Sequence, residues 1–305
     1  MTPQPLPPPS YQKPWLSYQD QVALLQSRGM VIADLAAAAE FLRHVNYYRF
    51  SGYCLAFEQA RHQFQPNVAF EQVQAAHAFD RVLRDVVTEA LEIVEVDLRT
   101  AIAYHFGQRH GAFGHLSRVQ FFQRFKHADW ISKLHDEANR SSELFVMHFK
   151  ATYREFPNLP VWVATEIMSF GGLSHMYTGM LRHDQKAISA RYGLQPGDLA
   201  SWMHHMVYVR NLCAHHSRLW DRVWAIKPTL PKAAVWQPPY LQGNNRLFTS
   251  LLMLNYLLRR CPPMTAFIAD WRRRVQALID GPPSVPNAND LMGMPANWKA
   301  HPLWT

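Results

Sequence analysis

The sequence predicts an all-α protein organised around one long central helix, and three observations carry that prediction. From about Phe70 to His110, apolar residues recur at steps of three and four: Phe79, Leu83, Val86, Val87, Ala90, Leu91, Val94, Leu98, Ala101, Ile102 and His105. This is a sustained 3.6-residue period, and no Gly or Pro interrupts it before Gly107. Nothing alternates with period two for long enough to demand a sheet. Hydrophobic residues make up 48% of the 305, enough for a sizeable core and too many for a disordered chain.

The elements follow in order. Residues 1–14 are rich in proline and lack periodicity, so they read as an extended tail. Ser17 is a candidate N-cap, with Asp20 three residues on and Val22, Leu24 and Leu25 behind it; Gly29 stops that helix. Asp34 caps a second helix that runs to Val45. Charges of the long helix fall mostly off its stripe, and Glu95 and Arg99 stand in the favourable i,i+4 order. Further helical patterns cover about 127–140, 143–155, 161–181 (with a break expected at Gly171-Gly172), 183–192, 197–217, 245–260 and 264–279. Lys227 to Gly243 holds four prolines and reads as an irregular crossover. From Gly281 the composition turns to Pro, Asn and Gly, a C-terminal tail pinned at most by Trp298 or Trp304. The predicted organisation is a tail (1–14), an N-terminal helical extension (15–65), a helical domain (66–280) and a C-terminal tail (281–305).

Composition narrows the function classes. A net charge of +8 favours a polyanionic partner, either nucleic acid or an anionic surface. The three cysteines, Cys54, Cys213 and Cys261, are too few and too widely spaced for a disulfide framework, which fits a reducing cytoplasm. No signal sequence is evident, and the most apolar stretch, Leu247–Leu258, is too short to span a bilayer. His204-His205 and His215-His216 invite a metal reading, but no carboxylate or thiolate falls at ligand spacing and HExxH is absent. No metal and no cofactor are expected. GxSxG is absent, so a nucleophile-elbow hydrolase has no support.

One patch carries chemistry. On the helix from Asp198, residues Leu199, Trp202, Met203, Met206, Val207, Val209 and Cys213 form an apolar face, while His204, Tyr208, Asn211, His215 and Arg218 gather opposite. Arg210 falls within the apolar face, where a guanidinium must snorkel, pair with a buried Glu, or serve a ligand. The plain reading of His215 is a surface or capping histidine near a helix C-terminus. Together with His216 and Arg218, however, Arg210, Asn211 and His215 make a dense set of phosphate-binding and proton-transferring groups. RNA cleavage needs a base for the ribose 2′-OH, a cation on the phosphate and an acid for the departing oxygen. Imidazole serves as base or acid near neutral pH, and guanidinium clamps phosphate in a planar, bidentate way. Asn211, one turn before His215, is placed to orient the imidazole or a phosphate oxygen. A second copy of the chain would supply the second histidine.

The string Arg210-Asn-Leu-Cys-Ala-His-His-Ser-Arg-Leu-Trp220 resembles the Abi-like family of bacterial abortive-infection proteins (AbiD and AbiF type), within the HEPN ribonuclease superfamily. Lys13–Tyr18, Asn46–Tyr53, Phe79–Arg84, Glu95–Ala103 and Ser169–Ser174 follow the family's order, so the likeness covers roughly residues 13 to 225. The resemblance implies an all-α HEPN-type helical bundle, usually dimeric, that cuts RNA without metal and leaves a cyclic phosphate. By carry-over, Arg210, Asn211 and His215 take the catalytic positions. Phage defence, often as a toxin silenced by an antitoxin protein or RNA, is the family's usual setting; other HEPN proteins bind RNA or a partner without cutting. His216, Arg218, Tyr208, Arg49 and Arg99 are the candidates for RNA contact. Tyr47, Tyr48, Arg49 and Tyr53 either stack on bases or pack the N-terminal helices, with packing favoured. For Arg81, Arg84 and Arg99 a solvated helix face is the default reading and an RNA groove the alternative; Arg272-Arg273-Arg274 reads as surface rather than site.

Overall fold

The computed structural model describes residues 10–261 and 265–305. Of the expected N-terminal tail, residues 1–9 lie outside the described residues, and 10–14 are irregular and exposed. The fold is all-α. The helices are α1 (Tyr18–Ser27), α2 (Leu35–His44), α3 (Tyr47–Cys54), α4 (Phe70–His110), α5 (His127–Arg140), α6 (Leu144–Thr152) and α7 (Val161–Ile167). They continue as α8 (Phe170–Gly179), α9 (Arg182–Arg191), α10 (Pro196–Ala214), α11 (Leu247–Leu258), α12 (Thr265–Ile279) and α13 (Ala288–Met292). A two-stranded antiparallel ribbon, β1 (Glu58–Ala60) with β2 (Gln63–Phe64), escapes the period-two test because it is too short to alternate. Among the described residues, no helix is long and apolar enough to cross a membrane.

The described residues divide into two compact units, one formed by those up to 78 with 283–285 and the other by those from 79 to 282 with 286–305. In the first unit, the Ser17 hydroxyl accepts from the Asp20 amide at 3.1 Å while the Asp20 carboxylate accepts from the Ser17 amide, a reciprocal capping box. Asp34 and Asn46 cap α2 and α3 through their side-chain oxygens. Phe50 and Phe70 stack with ring centroids 4.7 Å apart. Tyr53 is buried, and Tyr47 accepts a hydrogen bond from Arg28 Nη1 at 2.9 Å, so these two aromatics pack; Tyr48 is exposed.

In the second unit α4 is the spine. Leu83, Val87, Ala90, Leu91, Val94, Leu98, Ala101, Ile102 and Phe106 are almost wholly buried. Each large aliphatic side chain so buried contributes about 1.5–3 kcal/mol, and truncating Leu91 or Leu98 to Ala costs about 2–5 kcal/mol. Two residues of α4 with an expected place in solvent or on RNA have neither: Arg84 and Arg99 are both buried, because each has a carboxylate one turn before it and a backbone carbonyl within reach. Arg81 is exposed. The break expected at Gly171-Gly172 falls instead at Met168-Ser169. There the Ser169 hydroxyl accepts from the Gly172 amide at 3.1 Å and starts a new helix that includes both glycines. The C-terminal residues are well packed: Met292, Met294, Trp298 and Trp304 are buried, and the Trp304 ring lies 5.8 Å from that of Trp271.

Candidate functional site

Helix α10 starts at Pro196, whose fixed φ suits a first helical turn, and packs against α8 and α9. Its buried residues are Pro196, Leu199, Trp202, Met203, His205, Met206, Val209 and Cys213. The apolar line Leu199, Met203, Met206 runs out at Arg210, which is exposed, as is Ala214 one turn later. On the helical wheel Arg210 lies between Met203 and Met206, but in the last turns the buried side narrows to Val209 and Cys213 and leaves Arg210 at its edge. Arg210 therefore makes no buried ion pair among the described residues; its Nη1 lies 3.5 Å from Asn211 Oδ1.

The periodicity predicts a helix to Ser217, and the helix stops at Ala214. His215 is its C-cap and His216 turns into the left-handed region with φ 52°. The His216 amide then donates to Cys213 O at 2.9 Å and the Ser217 amide to Leu212 O at 2.8 Å. That pair of bonds is a Schellman stop, built with histidine where glycine is usual. It leaves both His215 and His216 exposed at the helix end, beside Asn211 and Arg210.

A buried charge anchors the loop beyond this stop. Asp80 on α4 is fully buried; its Oδ1 accepts from the amides of Leu219 (3.0 Å) and Trp220 (2.9 Å). Its Oδ2 accepts from Arg84 Nη1 at 2.5 Å, and the same Nη1 reaches Ser217 O at 3.4 Å. Carboxylate and guanidinium together hold the loop that leaves the Arg–His string. Sequence reasoning misses these two residues as site-forming: the segment Phe79–Arg84 carries part of the resemblance, but only its i,i+4 Asp–Arg spacing hints at a buried pair.

The remaining candidates separate. Tyr208 is half-buried, its hydroxyl accepting from the Ala225 amide at 3.4 Å. Arg218 Nε lies 2.7 Å from Asp221 Oδ1 as an ion pair without hydrogen-bond alignment, and burial pushes the Asp221 carboxyl above its ordinary range. Thus Tyr208, Arg210, Asn211, His215, His216 and Arg218 share one end of one helix and the loop after it. Arg49 is exposed on α3 in the first unit. Arg99 does not join them: its guanidinium is spent inside the second unit on Glu95 and the Thr165 carbonyl. Within the string, Cys213 is buried and its thiol is pushed up to about 11 by that burial, which removes it as a nucleophile.

For metals, His205 is buried and engaged: Nδ1 donates to Ile226 O at 2.6 Å, so Nε2 accepts from the Ser250 hydroxyl at 2.8 Å. Among the described residues, the three donors close enough to share a cation are His110, His183 and Asp184, within 4.8 Å of one another. A pocket of about 460 Å³ borders Ser169, Gly171 and Gly172, with Lys126, Lys133 and His175 on its walls.

A family model described as Abi-like protein matches residues 40–221, more than half of the chain. Its span takes in α4, the Arg–His string and the loop that Asp80 holds. No curated protein and no solved structure matches the chain.

Proposed function

Starting from the premise that the chain belongs to the Abi-like family, we propose that it is a metal-independent endoribonuclease of the HEPN type, active as a homodimer. Membership suggests a part in abortive infection, the defence of a cell against phage. The observation that carries the nuclease reading is the exposed cluster of Arg210, Asn211 and His215 at the end of α10, set on a helix stop and a loop that are themselves firmly held. A guanidinium and an imidazole presented by rigid backbone are what phosphodiester transesterification requires.

In this reading the His215 imidazole takes the proton of a ribose 2′-OH, whose oxygen bonds to the adjacent phosphorus. Arg210 holds the non-bridging oxygens as their charge grows, with Asn211 orienting one of them. The phosphorus–5′-oxygen bond breaks, and the partner subunit's His215 protonates the leaving oxygen. The products are a 2′,3′-cyclic phosphate and a 5′-hydroxyl end. Tyr208, His216 and Arg218 flank the cut, and an antitoxin protein or RNA would silence the enzyme by covering this same helix end.

The test is labelled RNA incubated with purified dimer in EDTA. Cutting should persist and should fall at least about 100-fold in both Arg210→Ala and His215→Ala. A folded dimer that binds RNA without cutting it supports a non-catalytic RNA-binding or partner-binding module instead.

A further inference from the structure

At the far end of α4 from the Asp80 anchor, roughly 45 Å along the helix axis, stands a cluster that the nuclease reading does not use. His110 is the last residue of α4, and His183 and Asp184 lie in the first turn of α9. Asp184 and the His110 ring are buried, with 3% and 8% of their side chains exposed, whereas the His183 ring is 43% exposed. His110 Nε2 sits 3.1 Å from both Asp184 oxygens, and His183 Nε2 sits 3.1 Å from Oδ2. The His183 contact is an ion-pair approach without hydrogen-bond alignment.

The His110 side chain is held at its ring and at its Cβ. Phe106 lies 4.6 Å away, and a Cβ on Gly114 would fall 2.2 Å from His110 Cβ, so the turn after α4 can close over the histidine only with glycine there. A buried carboxylate, a locked imidazole and a second imidazole open to solvent converge on one point. Ligands about 2.0–2.1 Å from a tetrahedral zinc lie roughly 3.3 Å from each other; each imidazole stands 3.1 Å from the carboxylate, and all three donors lie within 4.8 Å of one another.

We propose that His110, His183 and Asp184 bind one divalent transition metal of the zinc class, with water in the fourth position, tying the end of α4 to the start of α9. Two imidazoles and a carboxylate suit Zn²⁺, Co²⁺ or Ni²⁺ better than Ca²⁺ or Mg²⁺. The half-exposed His183 gives the ion its way in. Arg109, with Nε 3.7 Å from Asp184 Oδ1 and a side chain 55% exposed, is the cation that a metal would displace.

The experiment is titration of EDTA-stripped, full-length protein with Co²⁺, read by the visible d–d bands of a tetrahedral complex, followed by displacement with Zn²⁺. Wild type should bind one equivalent, and Zn²⁺ should raise its melting temperature. His183→Ala removes a half-exposed ring and should keep the fold while losing at least about tenfold in affinity along with the thermal shift. Asp184→Asn should abolish the tetrahedral spectrum, and Arg109→Ala should keep one equivalent and tighten it. Absence of a stoichiometric complex in wild type overturns the proposal, as does equal affinity in wild type and folded His183→Ala. Weaker binding in Arg109→Ala also counts against it.

Discussion

His205 and His215 belong to the same stretch of chain, and the fold has given them opposite conditions. His205 is buried in the middle of α10 with both ring nitrogens engaged by Ile226 and Ser250, and burial lowers it to about 4, so it is neutral in the native protein. His215 closes the same helix, is exposed, and has no side-chain hydrogen bond among the described residues. One histidine is part of the core's polar wiring, and the other is available to a ligand. The side chains are chemically identical; the difference lies in their places on α10, since His205 faces segments that bury it and His215 is the C-cap on the side away from the buried residues.

The largest effect that would sharpen this contrast is catalytic. His215→Ala should cut RNA cleavage by about 10²–10⁴-fold while moving stability by less than about 0.5 kcal/mol, as expected for an exposed position. His205→Ala should do the reverse, leaving a buried hydroxyl and carbonyl without partners and lowering the melting temperature, with cleavage falling only as the folded fraction does. Paired assays of RNA cleavage and thermal melting decide it; cleavage lost in folded His205→Ala and retained in His215→Ala breaks the comparison.

Next in size is the anchor behind the string. Asp80→Ala removes the buried carboxylate that accepts from two backbone amides and from Arg84, and should cost about 3–5 kcal/mol by urea denaturation. Asp80→Asn keeps one oxygen acceptor and should cost less. An unchanged denaturation midpoint in Asp80→Ala would mean that the loop after α10 does not depend on this carboxylate.

The pH dependence of stability comes third. His205 and His115 are both lowered to about 4 by burial, so between pH 4 and 6.5 the unfolded chain binds more protons than the folded one. Stability is therefore held above pH 6.5 and lost as pH falls toward 4, on the order of 3 kcal/mol per histidine. Urea denaturation across that range should show the slope, and His205→Gln should flatten it; an equal slope in the variant excludes His205 as a source.

The smallest effect concerns the helix stop. His216→Gly relieves a left-handed backbone but frees the unfolded chain, so the net change should stay below about 1 kcal/mol. A loss well above that shows that the His216 ring supports the loop more than its backbone strains it.

Much of this architecture is legible in the residues because it is local. The stripe of α4, the capping box of Ser17 and Asp20 and the Asp34 cap depend on neighbours within a turn or two, and the structure places them where the pattern does. Pattern and structure part where something beyond the local period intervenes. Arg99 reads as a candidate for RNA, but Thr165 meets it on the inner side of α4. The periodicity overruns the end of α10 by three residues, because a histidine in the left-handed region is not a stop signal that sequence rules anticipate.

The sequence by itself determined the helical class, the course of the long helix and the grouping of Arg210, Asn211 and His215, all consequences of a fixed 100° turn per residue. The tertiary structure alone decided that Arg210 faces solvent, that His205 does not, and that Asp80 grips amides 139 and 140 residues away. Helical periodicity assigns each side chain a direction; whether that direction ends in protein or in water depends on which remote segments pack there.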